Sequence, residues 1–267
     1  SPIIRFILGF FVMIGALMFL GCPIRMILRL GGGDLNALFG IAGFAGGIGF
    51  GTIFLKKGYS LQRTYALSKL ESAMMPAIQV GLLVLVVAAP AFIFFSQKGP
   101  GAMHAPWLIS LAAGLVVGGL AQFSRLCTVG GFRDLFLFKK SILIFGYLAV
   151  LIGVFVVNIS FGNFHLGFEN QPIAHTDGLW NFLGMALAGF CSVLLGGCPL
   201  RQLIMTGEGN SDSAVTVLGL AAGAAFAHNF GLAASGAGPT LNGQIAVGVG
   251  FVVALIIAIL NTKRANA

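Results

Sequence analysis

The chain has 267 residues, 58% of them hydrophobic and only 8% charged, with 40 glycines, 25 phenylalanines and a mean hydropathy of +0.99. A soluble domain carries roughly a quarter charged residues, so a soluble globular protein is excluded and an integral membrane protein remains. The formal net charge of +8 does not mark nucleic-acid binding, because the basic residues fall in short breaks between apolar runs, which is the footprint of loop-charge bias in membrane proteins.

Backbone groups in lipid must be satisfied within their own segment, which makes helices the default. The apolar runs are also too long for the alternating strands of a membrane barrel. Runs long enough to cross ~30 Å of hydrocarbon fall at 3–20, 36–55, 74–95, 106–122, 141–158, 179–196, 212–230 and 243–260. The expected architecture is all-α and polytopic, with about eight transmembrane helices in a single integral membrane domain over 1–267. The first run has no small-residue cleavage site after it and reads as a span rather than a signal peptide. The opening Ser1-Pro2, in place of Met, fits a chain with further helices upstream.

The break at 56–73 holds Lys56, Lys57, Arg63 and Lys69, and its stretch 60–72 reads as a short interfacial helix. The break at 123–140 holds Arg125, Arg133, Lys139 and Lys140, and Lys263-Arg264 follow the last span. By contrast 159–178 has no Lys or Arg, and 231–242 has no charge. The basic breaks are therefore expected inside and the others outside. One break disobeys: Arg25 and Arg29 land on the outer side.

Three cysteine motifs carry the chemistry. Gly21-Cys22-Pro23-Ile24-Arg25 and Gly197-Cys198-Pro199-Leu200-Arg201 are copies 176 residues apart, and Leu126-Cys127-Thr128-Val129-Gly130 lies between them. At the same offset Gly43 and Gly47 match Gly219 and Gly223, and Phe50 matches Phe226. An odd number of spans separates the two copies, so they face opposite ways. Inverted repeats of this kind are a transporter architecture with the site at the repeat interface. The expected division is repeat 1 at about 1–95, a central segment at about 96–160 and repeat 2 at about 179–260. The matching glycines are expected to serve close helix packing.

Pro23 and Pro199 suit the first position of a helix, where a missing N–H costs nothing. Cys22 and Cys198 are therefore expected at the N-caps of re-entrant half-helices over 23–30 and 199–206. Such an end offers free N–H groups and partial positive charge to an anion. Arg25 and Arg201 add planar donors for oxyanion oxygens, and Arg29 lies one turn beyond Arg25. In the middle motif Arg125 precedes the thiol, and Arg133 beside Asp134 reads as a structural pair. Cys191 has no neighbouring charge and reads as a small buried hydrophobe. His228 reads as a packing residue near a span end. No C-x-x-C occurs, and His104, His165, His175 and His228 are scattered, so neither a metal nor a cofactor is expected.

At Gly21-Cys22, Leu126-Cys127-Thr128 with Phe132-Arg133-Asp134, and Gly197-Cys198, the chain resembles the YeeE/YedE sulphur-transport family. The Gly-Cys-Pro-x-Arg form, followed by Ile27-Leu28-Arg29-Leu30 and Gly32-Gly33-Asp34, resembles the YedE branch associated with selenium metabolism. The resemblance implies a helical, pseudo-symmetric protein taking up thiosulfate or a related chalcogen species, with Cys22, Cys127 and Cys198 meeting substrate in turn along a central path.

The reading is a multi-pass inner (plasma) membrane importer, not an enzyme, for a small sulfur or selenium anion. Its expected path residues are Cys22, Cys127, Cys198, Arg25, Arg201, Arg125, Pro23 and Pro199. Membrane lipid is the expected surround, a cytoplasmic sulfur-carrier protein is a candidate recipient, and no nucleic acid is involved. Two alternatives stand beside it: an anion channel selected by its arginines, and a membrane thiol–disulfide or sulfurtransferase enzyme.

Overall fold

The structure, a computed structural model, describes residues 1–61, 69–88 and 105–262. In chain order these form α1 (Pro2–Phe19), α2 (Pro23–Gly31), α3 (Asn36–Lys56), α4 (Lys69–Ala88), α5 (Trp107–Phe123), α6 (Thr128–Phe138), α7 (Ile142–Ser160), α8 (Gly178–Leu195), α9 (Pro199–Gly207), α10 (Ser211–Asn229) and α11 (Leu241–Leu260). The described residues otherwise contain only isolated β-bridges. The protein is all-α and polytopic. Eight of the helices are long, and each lies on one of the eight expected spans. The short α2, α6 and α9 each follow a cysteine motif.

Six stretches among the described residues are long and apolar enough to cross a membrane: Pro2–Gly31, Asn36–Lys56, Trp107–Phe138, Ile142–Ser160, Gly178–Gly207 and Leu241–Leu260. Three of these run from a long helix on through its half-helix. The expected span at 212–230 forms α10 but is not among the six. Its small residues, Asp212 and terminal Asn229 dilute its hydropathy. The span expected at 74–95 is helical to Ala88, with a shorter apolar part at Ala73–Ala88. Residues 89–95, and most of the interfacial helix expected at 60–72, lie outside the described residues.

Glycine decides how closely the central helices approach. A Cβ added at Gly43 would strike the Phe182 carbonyl of α8, and one at Gly47 the Ala186 carbonyl. The same contacts recur 176 residues on, where Gly219 and Gly223 of α10 meet the Phe6 and Phe10 carbonyls of α1. Without a hydrophobic drive between helices in lipid, such backbone-to-backbone approach supplies the packing energy. By contrast α4, α5 and α7 leave most of their apolar side chains exposed, as a lipid-facing rim requires.

Contacts at the helix ends fix their directions. The His175 Nε2–H donates to the Met18 carbonyl at 2.8 Å, which sets the start of α8 beside the end of α1. The N–H of Ala234, just before α11, donates to Leu17. At the other end Arg5 pairs with Asp212 at 2.8 Å, and the Ser60 N–H donates to the Asn261 carbonyl. One end of the bundle thus gathers the start of α1, the ends of α3 and α11, and the start of α10, with Lys56 and Lys57. The opposite end gathers the end of α1, the starts of α3, α8 and α11, and the loop after α7. That loop is tied down by His165 N–H to Gly32 O, Gly167 N–H to Gly33 O and Asn36 Nδ2 to Phe168 O.

His175 is buried, and its Nδ1 has no hydrogen-bond partner among the described residues. Burial holds this imidazole below its ordinary range. The nearby Arg29 charge acts in the same direction, while the Met18 bond and the Asp177 and Asp34 carboxylates oppose it. The unfolded chain, with a histidine pKa near 6.5, therefore takes up the proton first. This group's contribution to stability is whole above about pH 6.5 and is lost as pH falls below it. The thermal unfolding midpoint in detergent is expected to be lower at about pH 5.5 than at about pH 7.5. His175→Gln, which keeps a donor for Met18, is expected to flatten that slope.

Candidate functional site

Each half-helix begins at a cysteine. Cys22 and Cys198 are the N-caps of α2 and α9 in extended conformation, with Pro23 and Pro199 opening the helices. Both half-helices run one residue past the expected ends. Cys127 is the N-cap of α6, and its Sγ accepts from the Gly130 N–H at 3.3 Å. The sequence marks this middle motif more weakly because Thr128 stands where the outer copies have proline. Gly196, at φ 83, ends α8 in the left-handed conformation and frees the chain to turn into the third motif.

Cys127 and Cys198 are both buried and pack in one cluster. Cys22 is half-buried. Tyr147 of α7 packs in the same cluster as Cys127 and Cys198, and its hydroxyl donates to the carbonyl of Pro23, next to Cys22, at 3.1 Å. All four cysteines are reduced. Phe19, Met26, Ile27, Phe44 and Val129 close an apolar shell around the group. Soft sulfur ligands in a dry setting, with helix N-terminal N–H groups around them, form an environment for a partly desolvated anion with a polarisable atom.

The arginines stand apart from the thiols and from each other. Arg25 lines a pocket of about 440 Å³ at the end of the bundle that carries His165. Gly21 leaves the space over which its side chain folds. Arg201 sits toward the other end, where its Nη1 donates to Gln122 Oε1 at 2.6 Å and Gln122 in turn bonds to Glu208. Arg125, three residues beyond Gln122, is exposed and left-handed at φ 52. Arg133 pairs with Asp134 at 2.9 Å, as expected of a structural pair.

The family model for sulphur transport matches residues 123–263, just over half of the chain, including Cys127 and Cys198. The chain belongs to the sulphur-transport family. Neither a curated protein nor a solved structure matches it. Membership together with the six apolar stretches makes it a multi-pass membrane protein that transports a sulfur compound.

Two expectations about other residues resolve differently. Cys191 is fully buried among Leu187, Phe190 and Leu194, as a small hydrophobe should be. His228 is exposed on the last turn of α10. Among the described residues the buried histidine is His175. Tyr147 was missed in the sequence. Its signal was a lone hydroxyl within an apolar run, in a chain with three tyrosines against 25 phenylalanines.

Proposed function

We propose that the protein imports a small sulfur or selenium anion, thiosulfate-like or a reduced selenium species, along a path lined by Cys22, Cys127 and Cys198. Arg25 stands at one mouth and Arg201 and Arg125 at the other, with Pro23 and Pro199 presenting the helix ends. The observation that carries this reading is that three half-helices each start at a cysteine, with Tyr147 packed in the cluster of Cys127 and Cys198 and bonded to the Pro23 carbonyl beside Cys22. A chalcogen oxyanion has hard oxygens for guanidinium groups and one soft atom for thiols. Weak contact at several stations lets it enter and still leave.

We read the architecture as two inverted repeats, about 1–95 and 179–260, around a central segment at about 96–160. Support comes from the antiparallel α1 and α8 and from glycine contacts repeating at one offset. The end bearing Lys56 and Lys57 is assigned to the cytoplasm of an inner membrane by the positive-inside rule. Arg29 does not conflict with that assignment. It is buried and paired with Asp34 at 2.6 Å, so it is no loop charge.

Uptake of radiolabelled thiosulfate into proteoliposomes, with selenite and selenosulfate in parallel, tests the reading. Saturable flux of at least one of them is expected, and its ranking identifies the cargo. No flux above empty liposomes would sink it. A second reading, exchange chemistry at a thiol pair, is favoured by the packing of Cys127 and Cys198 in one buried cluster. It predicts labelled sulfur retained on the protein after washing, whereas import predicts none.

A further inference from the structure

Two buried hydroxyl groups beside the thiols make no hydrogen bond that holds the fold. Thr128 and Ser192 are 2% and 0% exposed, and neither hydroxyl has a hydrogen-bond partner among the described residues. A hydroxyl within a helix commonly donates to the carbonyl four residues back. Thr206, Thr216, Ser124 and Ser160 all do so, at 2.7 to 2.9 Å. Thr128 opens α6, so no helical carbonyl lies behind it. Ser192 lies inside α8 and still makes no bond to the Ala188 carbonyl. Buried polar groups are nearly always paired, and an unpaired one costs stability. Two at one place point to a ligand.

Both hydroxyls belong to the thiol group. Thr128 stands between Cys127 and Val129, which pack in one cluster with Cys198 and Tyr147. Ser192 follows Ala188 by four residues and Met185 by seven. Both are members of that cluster, so Ser192 shares their helix face. Its carbonyl accepts the Gly197 N–H at 3.1 Å, at the turn that leads into Cys198. Tyr147, the other hydroxyl in the cluster, is spent on the Pro23 carbonyl. Arg201 is bonded to Gln122 and Arg29 to Asp34, so those guanidinium groups are engaged elsewhere. The outer motifs place Pro23 and Pro199 where the middle one places Thr128, so only the middle motif brings a hydroxyl at this position.

We infer that Thr128 and Ser192 set the specificity of the thiol path, donating hydrogen bonds to the oxygens of the cargo while Cys127 and Cys198 meet its soft atom. The inference rests on the transport reading and deepens it. A thiol is a weak donor and a weak acceptor, so by itself it reads little beyond polarisability. A hydroxyl bonded to a charged oxygen makes a short, strong contact, and an anion without oxygen forgoes it. Thiosulfate therefore gains both kinds of contact and hydrosulfide only one. Neutral donors also hold an anion less firmly than a guanidinium does, which lets the cargo leave.

Binding of radiolabelled thiosulfate to the purified protein in detergent, read beside the thermal unfolding midpoint, tests this. Thr128→Val exchanges the hydroxyl for a methyl group of nearly the same shape. It is expected to weaken binding about tenfold, as loss of a hydrogen bond to a charged group implies. Its midpoint is expected to equal or exceed that of the wild type, because an unpaired buried donor has gone. Thr128→Ser keeps the hydroxyl and is expected to bind as the wild type does. Ser192→Ala is expected to weaken binding without lowering the midpoint. A merely structural hydroxyl would show the reverse, a lower midpoint with binding intact. That result, undiminished binding in either Thr128→Val or Ser192→Ala, or Thr128→Ser as weak as Thr128→Val would each overturn the assignment. So would a wild type that binds no thiosulfate. Uptake separates the two failures. Wild-type flux that Thr128→Val leaves unchanged sinks the hydroxyl assignment alone, and no flux of any anion in the wild type sinks the transport reading.

Discussion

Serine in place of Cys22, Cys127 or Cys198 is expected to lower uptake by about tenfold or more in each single variant. That corresponds to one lost contact of about 1.4 kcal/mol at a transport barrier. The substitution suits the test because serine is a good N-cap residue. Cys22→Ser and Cys198→Ser therefore leave α2 and α9 as well capped as before, and Cys127→Ser keeps an acceptor for the Gly130 N–H. What changes is softness. The hydroxyl is small, hard and more strongly hydrated than a thiol, so a polarisable sulfur or selenium atom loses its partner while the helix does not. Cys191→Ala is the control. Cys191 lies fully buried in the separate cluster with Leu187 and Phe190, and its replacement is expected to leave flux intact at some cost in stability. Flux is measured in proteoliposomes at matched protein content, after size-exclusion chromatography has shown each variant to be folded. Survival of wild-type flux in all three serine variants would remove the thiol path and leave the arginines as the selective element.

The parts of this arrangement that sequence could reveal were those written in local pattern. Proline after cysteine specified a helix start, and the structure places Cys22 and Cys198 at N-caps with only a one-residue difference at the far ends. Apolar run length located the eight long helices. What local pattern could not reveal was which distant groups meet. Cys127 and Cys198 share one buried cluster although two spans, α7 and α8, lie between them in the chain, and the hydroxyl of Tyr147 reaches Pro23 across 124 positions. Arg29 looked like a misplaced loop charge. Its five-residue link to Asp34 and its seat on Phe19 depend on α2 folding back against the end of α1. In the sequence His228 reads as a packing residue near a span end, and nothing local marks His175. Burial of His175 follows from α1 and α8 running antiparallel, a tertiary fact.

The repeat makes a second large prediction, because it states where the same substitution should do the same damage twice. Gly47→Leu drives a side chain into the Ala186 carbonyl, and Gly223→Leu drives one into the Phe10 carbonyl. In both places the obstacle is backbone rather than the movable end of a side chain, so the helices must separate. Overpacking costs about 1–3 kcal/mol where side chains can give way, and about 3 kcal/mol or more is expected at each of these positions. Gly118→Leu adds the same side chain on α5, where a Cβ meets nothing within 4 Å among the described residues, and is expected to be near neutral. The readout is the thermal unfolding midpoint in detergent together with the yield of monodisperse protein. Both should fall sharply for Gly47→Leu and Gly223→Leu and stay near wild type for Gly118→Leu. Equal losses at the first two mean that the α3–α8 and α1–α10 seams carry equivalent loads, as two halves related by a two-fold axis must. A loss at Gly47 with tolerance at Gly223 would mean that the 176-residue correspondence is one of sequence only, and that the two halves do not share the central packing.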